Sequence, residues 1–334
     1  MESPSASSAA APALRSRILR ALLRWGGPAA YGIALLTVAV AHGLPLSKDR
    51  VLIWIVLGLL SFSLTDVRRW LFGLVFEWLP FAAILFVYDL ARGAADGLLR
   101  TNVRPQIDAD RTLFDGHVPA EWLQRHLWQG ASHLQWYDYA AWGVYLTHFF
   151  GTLVAAGILW HVAHHRFRRF VAMVSALSLG GFATYVLFPA APPWWAYAHH
   201  QLGPVHRLVR PVFMHMHFVH FDAVFEKGAR FANPVAAMPS LHAAFALLIT
   251  IYFWRMVPPA VRPLLAAYPV AMAFALVYTG EHYVTDCVVG WIYTVVAYWG
   301  VNRLADRRAQ RRLASTPARR PVIADGRAGE ARTS

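Results

Sequence analysis

Two histidines and an aspartate are the residues best placed by type and spacing to do chemistry. His282 and Asp286 lie four apart in Gly280-Glu281-His282-Tyr283-Val284-Thr285-Asp286. If a helix begins near His282, the two share one face. A carboxylate so placed accepts a hydrogen bond from one imidazole nitrogen. It thereby fixes the tautomer and makes the other nitrogen a better nucleophile or base. Earlier in the chain, Pro239-Ser240-Leu241-His242 opens an apolar run. Pro239 and Ser240 fit a helix start with Ser240 as its cap, and the amides of such a start bind anions. His242, in that first turn, could hand a proton to a departing oxygen. Each feature alone has a plainer use: Asp286 would suit the dipole of a first turn, and a single histidine is easily satisfied at headgroup level. Together they point to cleavage or transfer of a phosphate ester.

The elements that must carry these residues are membrane helices. Apolar residues make up 57% of the 334 positions and charged residues 15%, against about 25% charged in a soluble domain. A spanning helix needs about 20 mostly apolar residues. Eight runs qualify as candidates: Ala29–Leu46, Val51–Leu64, Trp70–Leu90, Trp136–Trp160, Phe170–Pro189, Ser240–Met256, Leu264–Thr279 and Tyr283–Val301. Val51–Leu64 is the shortest. The expected fold is an all-α polytopic bundle of about six to eight transmembrane helices. The first run is too long and too far from Met1 for a cleaved signal peptide.

The net charge of +13 raises nucleic acid as a partner, but membrane topology explains it better. With the N-terminus cytoplasmic, the short basic connectors fall on one side: Arg15, Arg17, Arg20 and Arg24; Arg68 and Arg69; Arg166, Arg168 and Arg169; Arg255 and Arg262; and the arginines from Arg303 onward. That is the positive-inside pattern. It predicts a cell-membrane protein with both termini cytoplasmic and with His242 and His282 at the extracytoplasmic face. The chain then divides into a disordered basic N-terminus (1–28), N-terminal membrane helices with an outer interfacial loop (29–135), a membrane core (136–302) and a disordered basic tail (303–334). Glu121–Trp128 has apolar residues at helical spacing and suits an interfacial helix. Trp194 and Trp195 suit the headgroup level. The one cysteine, Cys287, excludes an intrachain disulfide and reads as a buried thiol.

Pro-Ser-Leu-His at 239–242 followed by Gly-x-His-Tyr-x-x-Asp at 280–286 resembles the second and third signature segments of the type 2 phosphatidic acid phosphatase superfamily. The Leu and the His-Tyr-x-x-Asp form are most similar to its inositol phosphorylceramide synthase (inositolphosphotransferase) branch. The resemblance covers about 188–291. It implies that His282 is the nucleophile and forms a phosphohistidine, with Asp286 orienting it. It also implies that His242 protonates the leaving alcohol and then activates water or an acceptor hydroxyl, and that Ser240 and nearby amides hold the phosphoryl oxygens. No metal or other cofactor is implied. The substrate would be a lipid phosphate ester, the acceptor water or a lipid or polyol hydroxyl.

Two features depart from the phosphatase form. Its Ser-Arg ahead of the third-motif histidine is replaced by Ala275 and Leu276, and its Lys-x6-Arg-Pro segment is absent from the expected place. Arg255 to Arg262-Pro263 mimics the spacing, but on the cytoplasmic side. A phosphate must still be neutralised. Arg230, just before the motif, is the first choice, with Lys227, Arg92 and Arg104 as further candidates on the same face. The residues leave other functions open. One is a lipid transporter, against which the position of the ionisable groups at helix mouths counts. Another is a zinc hydrolase with His242, His282 and Asp286 as ligands. Donor, acceptor and oligomeric state are not written in the sequence.

Overall fold

The computed structural model describes residues 25–38, 48–64, 66–94, 97–216 and 233–315. Its helices are α1 (25–38), α2 (Lys48–Phe62), α3 (Val67–Gly73), a π-helical turn (Leu74–Trp78), α4 (Leu79–Ala94), α5 (Arg104–Leu113), α6 (Pro119–Leu127), α7 (Trp136–Val162), α8 (His164–Leu187), α9 (Pro193–Ala198), α10 (Val209–His215), α11 (Leu241–Phe253), α12 (Arg262–Tyr278) and α13 (Val284–Ser315). No strand forms among the described residues.

Among these residues, five helical stretches are long and apolar enough to cross a bilayer: Trp70–Ala94, Trp136–Val162, His164–Leu187, Pro259–Tyr278 and Val284–Arg311. The 27 residues of α7 make roughly 40 Å of helix, more than a hydrocarbon core of about 30 Å. Two shorter apolar helices, Ile53–Phe62 and Leu241–Phe253, accompany them. The chain is therefore an all-α, multi-pass membrane bundle, and the runs expected at Val51–Leu64 and Ser240–Met256 form helices shorter than a span.

Lipid offers no hydrophobic drive between helices, so small residues and polar links do much of the joining. α11 and α13 show both. A Cβ at Gly290 would run into the Ser240 carbonyl oxygen, and Thr294 donates to the Ala244 carbonyl at 2.9 Å. Pro269, inside α12, has no amide to offer the carbonyl four residues back. That carbonyl, on Leu265, instead accepts from Thr250 Oγ1 of α11 at 2.9 Å. Glu77, in the π turn, is neutralised by Trp160 Nε1 at 2.9 Å, His164 Nε2 at 3.1 Å and Arg168 Nε at 2.9 Å.

At one end of the bundle, Tyr252 donates to the Arg166 carbonyl and Arg169 pairs with Asp306 at 3.1 Å. This contact falls in the segment expected to be a disordered tail. α13 instead continues through Arg303 to Ser315, because Ala, Arg and Leu are strong helix formers and α8 supplies a partner. Residues 316–334 and 1–24 lie outside the described residues, and helix α1 already begins at Trp25 within the segment expected to be disordered.

The other end carries α5, α6 and α9. Asn102 bridges Ala190, which bridges Ala236, so three extended segments run side by side there. Gln135 and Asp138 form a capping box at the start of α7, and Asp138 accepts a hydrogen bond from Tyr278 at the end of α12.

Candidate active site

α11 and α12 form a hairpin, and its open end brings the two histidine segments together. The His242 and His282 rings are 5.5 Å apart between centroids. Ser240 caps α11, its hydroxyl accepting from Ala243 N at 3.3 Å. Its amide in turn donates to the Asp286 carbonyl at 3.0 Å. The two motifs are thus joined backbone to backbone. Ser240 is wholly buried, and its hydroxyl oxygen accepts in the cap, a role that does not use its O–H; the first-turn amides of Leu241 and His242 are further donors at this helix start.

His282 and Asp286 are buried. His282 Nδ1 stands 3.5 Å from Asp286 Oδ2, longer than a good hydrogen bond and of the kind that tightens when substrate binds. The same Oδ2 accepts the Tyr283 amide at 2.9 Å, which holds the carboxylate in place. With Nδ1 facing Asp286, Nε2 of His282 is the nitrogen available to a substrate. His242 Nε2 is buried without a hydrogen-bond partner among the described residues. Such an atom calls for one.

Three groups around this pair could not be read from the sequence. His148 of α7 lies with its ring 3.7 Å from that of His242, and Tyr145, one turn earlier, stacks on the same His242 ring at 5.2 Å. The third is Arg207, whose guanidinium Nε donates to Glu281 Oε1 at 2.6 Å, beside His282 in the chain. Arg207 also reaches the Tyr145 hydroxyl and lies 5.0 Å over the Trp194 ring. Burial works against its charge, but the charge and hydrogen bond of Glu281, together with Tyr145, raise its pKa, so it is a permanent cation.

Arg207 is delivered by a turn and a staple. Gly280, at φ +77°, makes the turn after α12 and lets the 205–208 segment approach so closely that a Cβ would meet His206 O at 2.7 Å. Leu208 N donates to Thr279 O at 3.1 Å. Gln124 of α6 then spans all three pieces. Its Nε2 donates to His206 O and Tyr278 O, both at 2.8 Å, and its Oε1 accepts from His206 N at 2.7 Å. A helix does form over the Glu121–Trp128 stretch, as Pro119–Leu127, and Gln124 on it ties down the segment that carries the arginine.

Asp110 of α5 is a further buried carboxylate. It accepts from Val284 N, Thr285 N and Thr285 Oγ1 at 3.1, 3.0 and 2.6 Å, and so caps α13 one turn before Asp286. Burial pushes its carboxyl pKa up, against the pull of the Thr285 and Val284 hydrogen bonds, and the Asp286 charge pushes the same way.

Of the expected phosphate binders, Arg92 lies in the last turn of α4, and its field and that of Arg207 both reach His242. Arg104 lines a separate groove that none of His242, His282 and Asp286 lines. Lys227 and Arg230 lie outside the described residues. Arg262 begins α12, at the far end of the hairpin from the histidines. Among the described residues no three His, Cys, Asp or Glu groups gather as a metal site.

A bundle with two histidines, one backed by aspartate, at a capped helix start is the arrangement the two motifs led us to expect. The sequence profile of the PAP2 superfamily matches residues 111–300, and the chain belongs to this superfamily. It is also 29% identical to the phosphoinositol dihydroceramide synthase of Bacteroides thetaiotaomicron over 229 residues, 64% of this chain and 71% of that protein. No solved structure matches the chain significantly. The protein is an enzyme of lipid phosphate chemistry, a phosphotransferase or a phosphatase.

Proposed function

We propose that the protein transfers a phosphate-bearing headgroup from a lipid donor to the hydroxyl of a ceramide-type lipid, through a phosphohistidine on His282. The observation that carries this reading is the pair of histidine rings 5.5 Å apart, one beside Asp286 and one at a helix start. The name of the Bacteroides relative supports a phosphoinositol group and a dihydroceramide as the chemical classes.

In the first step His282 Nε2 attacks phosphorus while His242 gives its proton to the departing alkoxide. Asp286 stabilises the imidazolium through Nδ1. In the second step His242, now neutral, takes the proton of the acceptor hydroxyl. The resulting oxygen attacks the phosphohistidine, and His282 is regenerated. Arg207 and Arg92 neutralise the phosphoryl oxygens, and the first-turn amides of α11 assist. Glu281 and Tyr145 aim Arg207. Burial of the centre favours a lipid hydroxyl over water as acceptor.

The site faces the extracytoplasmic side in this reading. Arg166, Arg168, Arg169, Arg303, Arg307, Arg308 and Arg311 gather at the opposite end, where the positive-inside rule expects them.

The test is product analysis by mass spectrometry. Purified protein in detergent is given phosphatidylinositol, phosphatidate or a polyprenyl phosphate, with and without a ceramide, beside a His282→Ala control. A new phosphodiester that needs both ceramide and His282 is the expected product. Free phosphate or a free headgroup phosphate would instead make the protein a lipid phosphatase. Activity that vanishes with a chelator and returns with zinc would overturn the phosphohistidine.

A further inference from the structure

A second basic feature sits apart from the histidines. A groove of about 490 Å³ is lined by Arg100, Asn102, Arg104, Trp195 and Gln201, with Thr101, Val103 and Pro105 completing it. Both arginines are exposed, and among the described residues neither is paired with a carboxylate. Asn102 is tied down, its side chain donating to Pro189 O at 3.1 Å and its backbone bridging Ala190. The floor of the groove is therefore rigid. Trp195 stacks on His199 with ring centroids 3.5 Å apart, which fixes one wall.

The position of the groove says what it meets. Its two sides leave membrane spans within a few residues, one after Ala94 and the other after Leu187. Between Ala94 and Arg100, the chain exposes Leu98 and Leu99, 64% and 50% accessible. Leucines followed by an arginine, opposite an indole, match the order of acyl chain, glycerol and phosphate across a leaflet. Two guanidinium groups in one groove are suited to a phosphodiester, which accepts paired N–H donors.

We propose that this groove docks the phosphate of an anionic phospholipid headgroup at the bilayer boundary, apart from the histidine centre. Trp194 and Trp195 divide the two places: the first lies under Arg207, the second lines the groove. The groove stands whether the histidine centre transfers or hydrolyses.

The experiment is a lipid titration of the purified full chain by native mass spectrometry, with phosphatidylglycerol as probe and inorganic phosphate as competitor. Loss of two charge-assisted contacts, each worth about tenfold, should weaken the tightest phosphatidylglycerol site of R100Q/R104Q by about a hundredfold. R307Q/R308Q, with its changes at the opposite end of α13, should keep the parent affinity. If the double variant does not fold, R100Q alone should show at least a severalfold loss. Affinity equal to the parent in R100Q/R104Q, or in R100Q where only that variant folds, would overturn the proposal. Inorganic phosphate displacing the lipid at equal concentration would also overturn it, as the groove would then hold phosphate rather than a headgroup.

Discussion

Arg207 Nε lies 2.6 Å from Glu281 Oε1, and Glu281 precedes His282 directly in the chain. An arginine in one long connection is thereby latched to the residue beside the proposed nucleophile. In the proposed mechanism Arg207, held by this latch, is the cation that the Ala275 and Leu276 positions lack.

Arg207→Gln should lower kcat/KM by roughly tenfold to a hundredfold, the worth of charge-assisted hydrogen bonds to phosphate. Arg207→Lys should fall between, because a point charge cannot reproduce a planar fork. Initial rates in mixed micelles measure both. Full activity in Arg207→Gln would remove the arginine from the reaction.

His282→Ala should abolish turnover, and His242→Ala should lose about 10²–10⁴-fold, the usual worth of a general acid. With a phosphorus-labelled donor, His242→Ala should also accumulate label on His282, since the second step needs the same base. Peptide mapping of the trapped protein reads this directly. Label on no histidine would rule out the covalent route.

Asp110 supplies a pH dependence. Its folded carboxyl pKa is raised by burial, so the folded chain holds that proton more tightly than the unfolded chain does. The stability this group contributes is fully present below the ordinary carboxylate pKa of about 4. It declines as pH rises through the folded value. Asp110→Asn has no such proton. The Tm difference between parent and variant should favour the parent most near pH 4 and shrink towards pH 7. A difference that does not change with pH would show the carboxyl to be unshifted.

Thr250 and Pro269 should be coupled. Thr250→Val leaves the Leu265 carbonyl without its donor and should cost about 1–2 kcal/mol. Pro269→Ala restores an amide that can serve that carbonyl, so Thr250→Val should cost less in that background. A double-mutant cycle on thermal unfolding measures the difference, and strict additivity would mean Thr250 does not serve the proline gap.

The helices and the histidine pair were legible because both are local patterns. A run of apolar residues announces a helix whatever surrounds it, although those at Val51–Leu64 and Ser240–Met256 form helices shorter than a span. His282 and Asp286 share a face because they are four apart. The α11–α12 hairpin places His242 beside them by length alone. Arg207 was not legible. It reaches the site through Gln124, His206 and Gly280, and no spacing in the chain links these. Asp110 was hidden likewise, since its partners at Val284 and Thr285 are 174 and 175 positions away. His148 lies inside the Trp136–Trp160 run with no spacing that sets it apart, and only the packing of α11 against α7 brings it to His242. Ser240 was read correctly as a cap, and that role uses the hydroxyl oxygen as an acceptor and not its O–H. The tail from 303 onward, rich in Arg, Ala and Pro, has the composition of a disordered segment, and nothing local announces the contact from Arg169 that holds its first part in α13.

The cap that Asp110 places on α13 also bears on how the protein is made. A chain entering the membrane from its N-terminus delivers α5 long before α13, and until then that carboxylate has none of its three partners. The amide of Ser240 likewise waits for the carbonyl of Asp286. Short hairpins form early, whereas contacts between distant segments come late. The two histidine segments are therefore joined only once the start of α13 has arrived. A nascent chain cut short before Asp286 would hold most of the bundle and no centre at all.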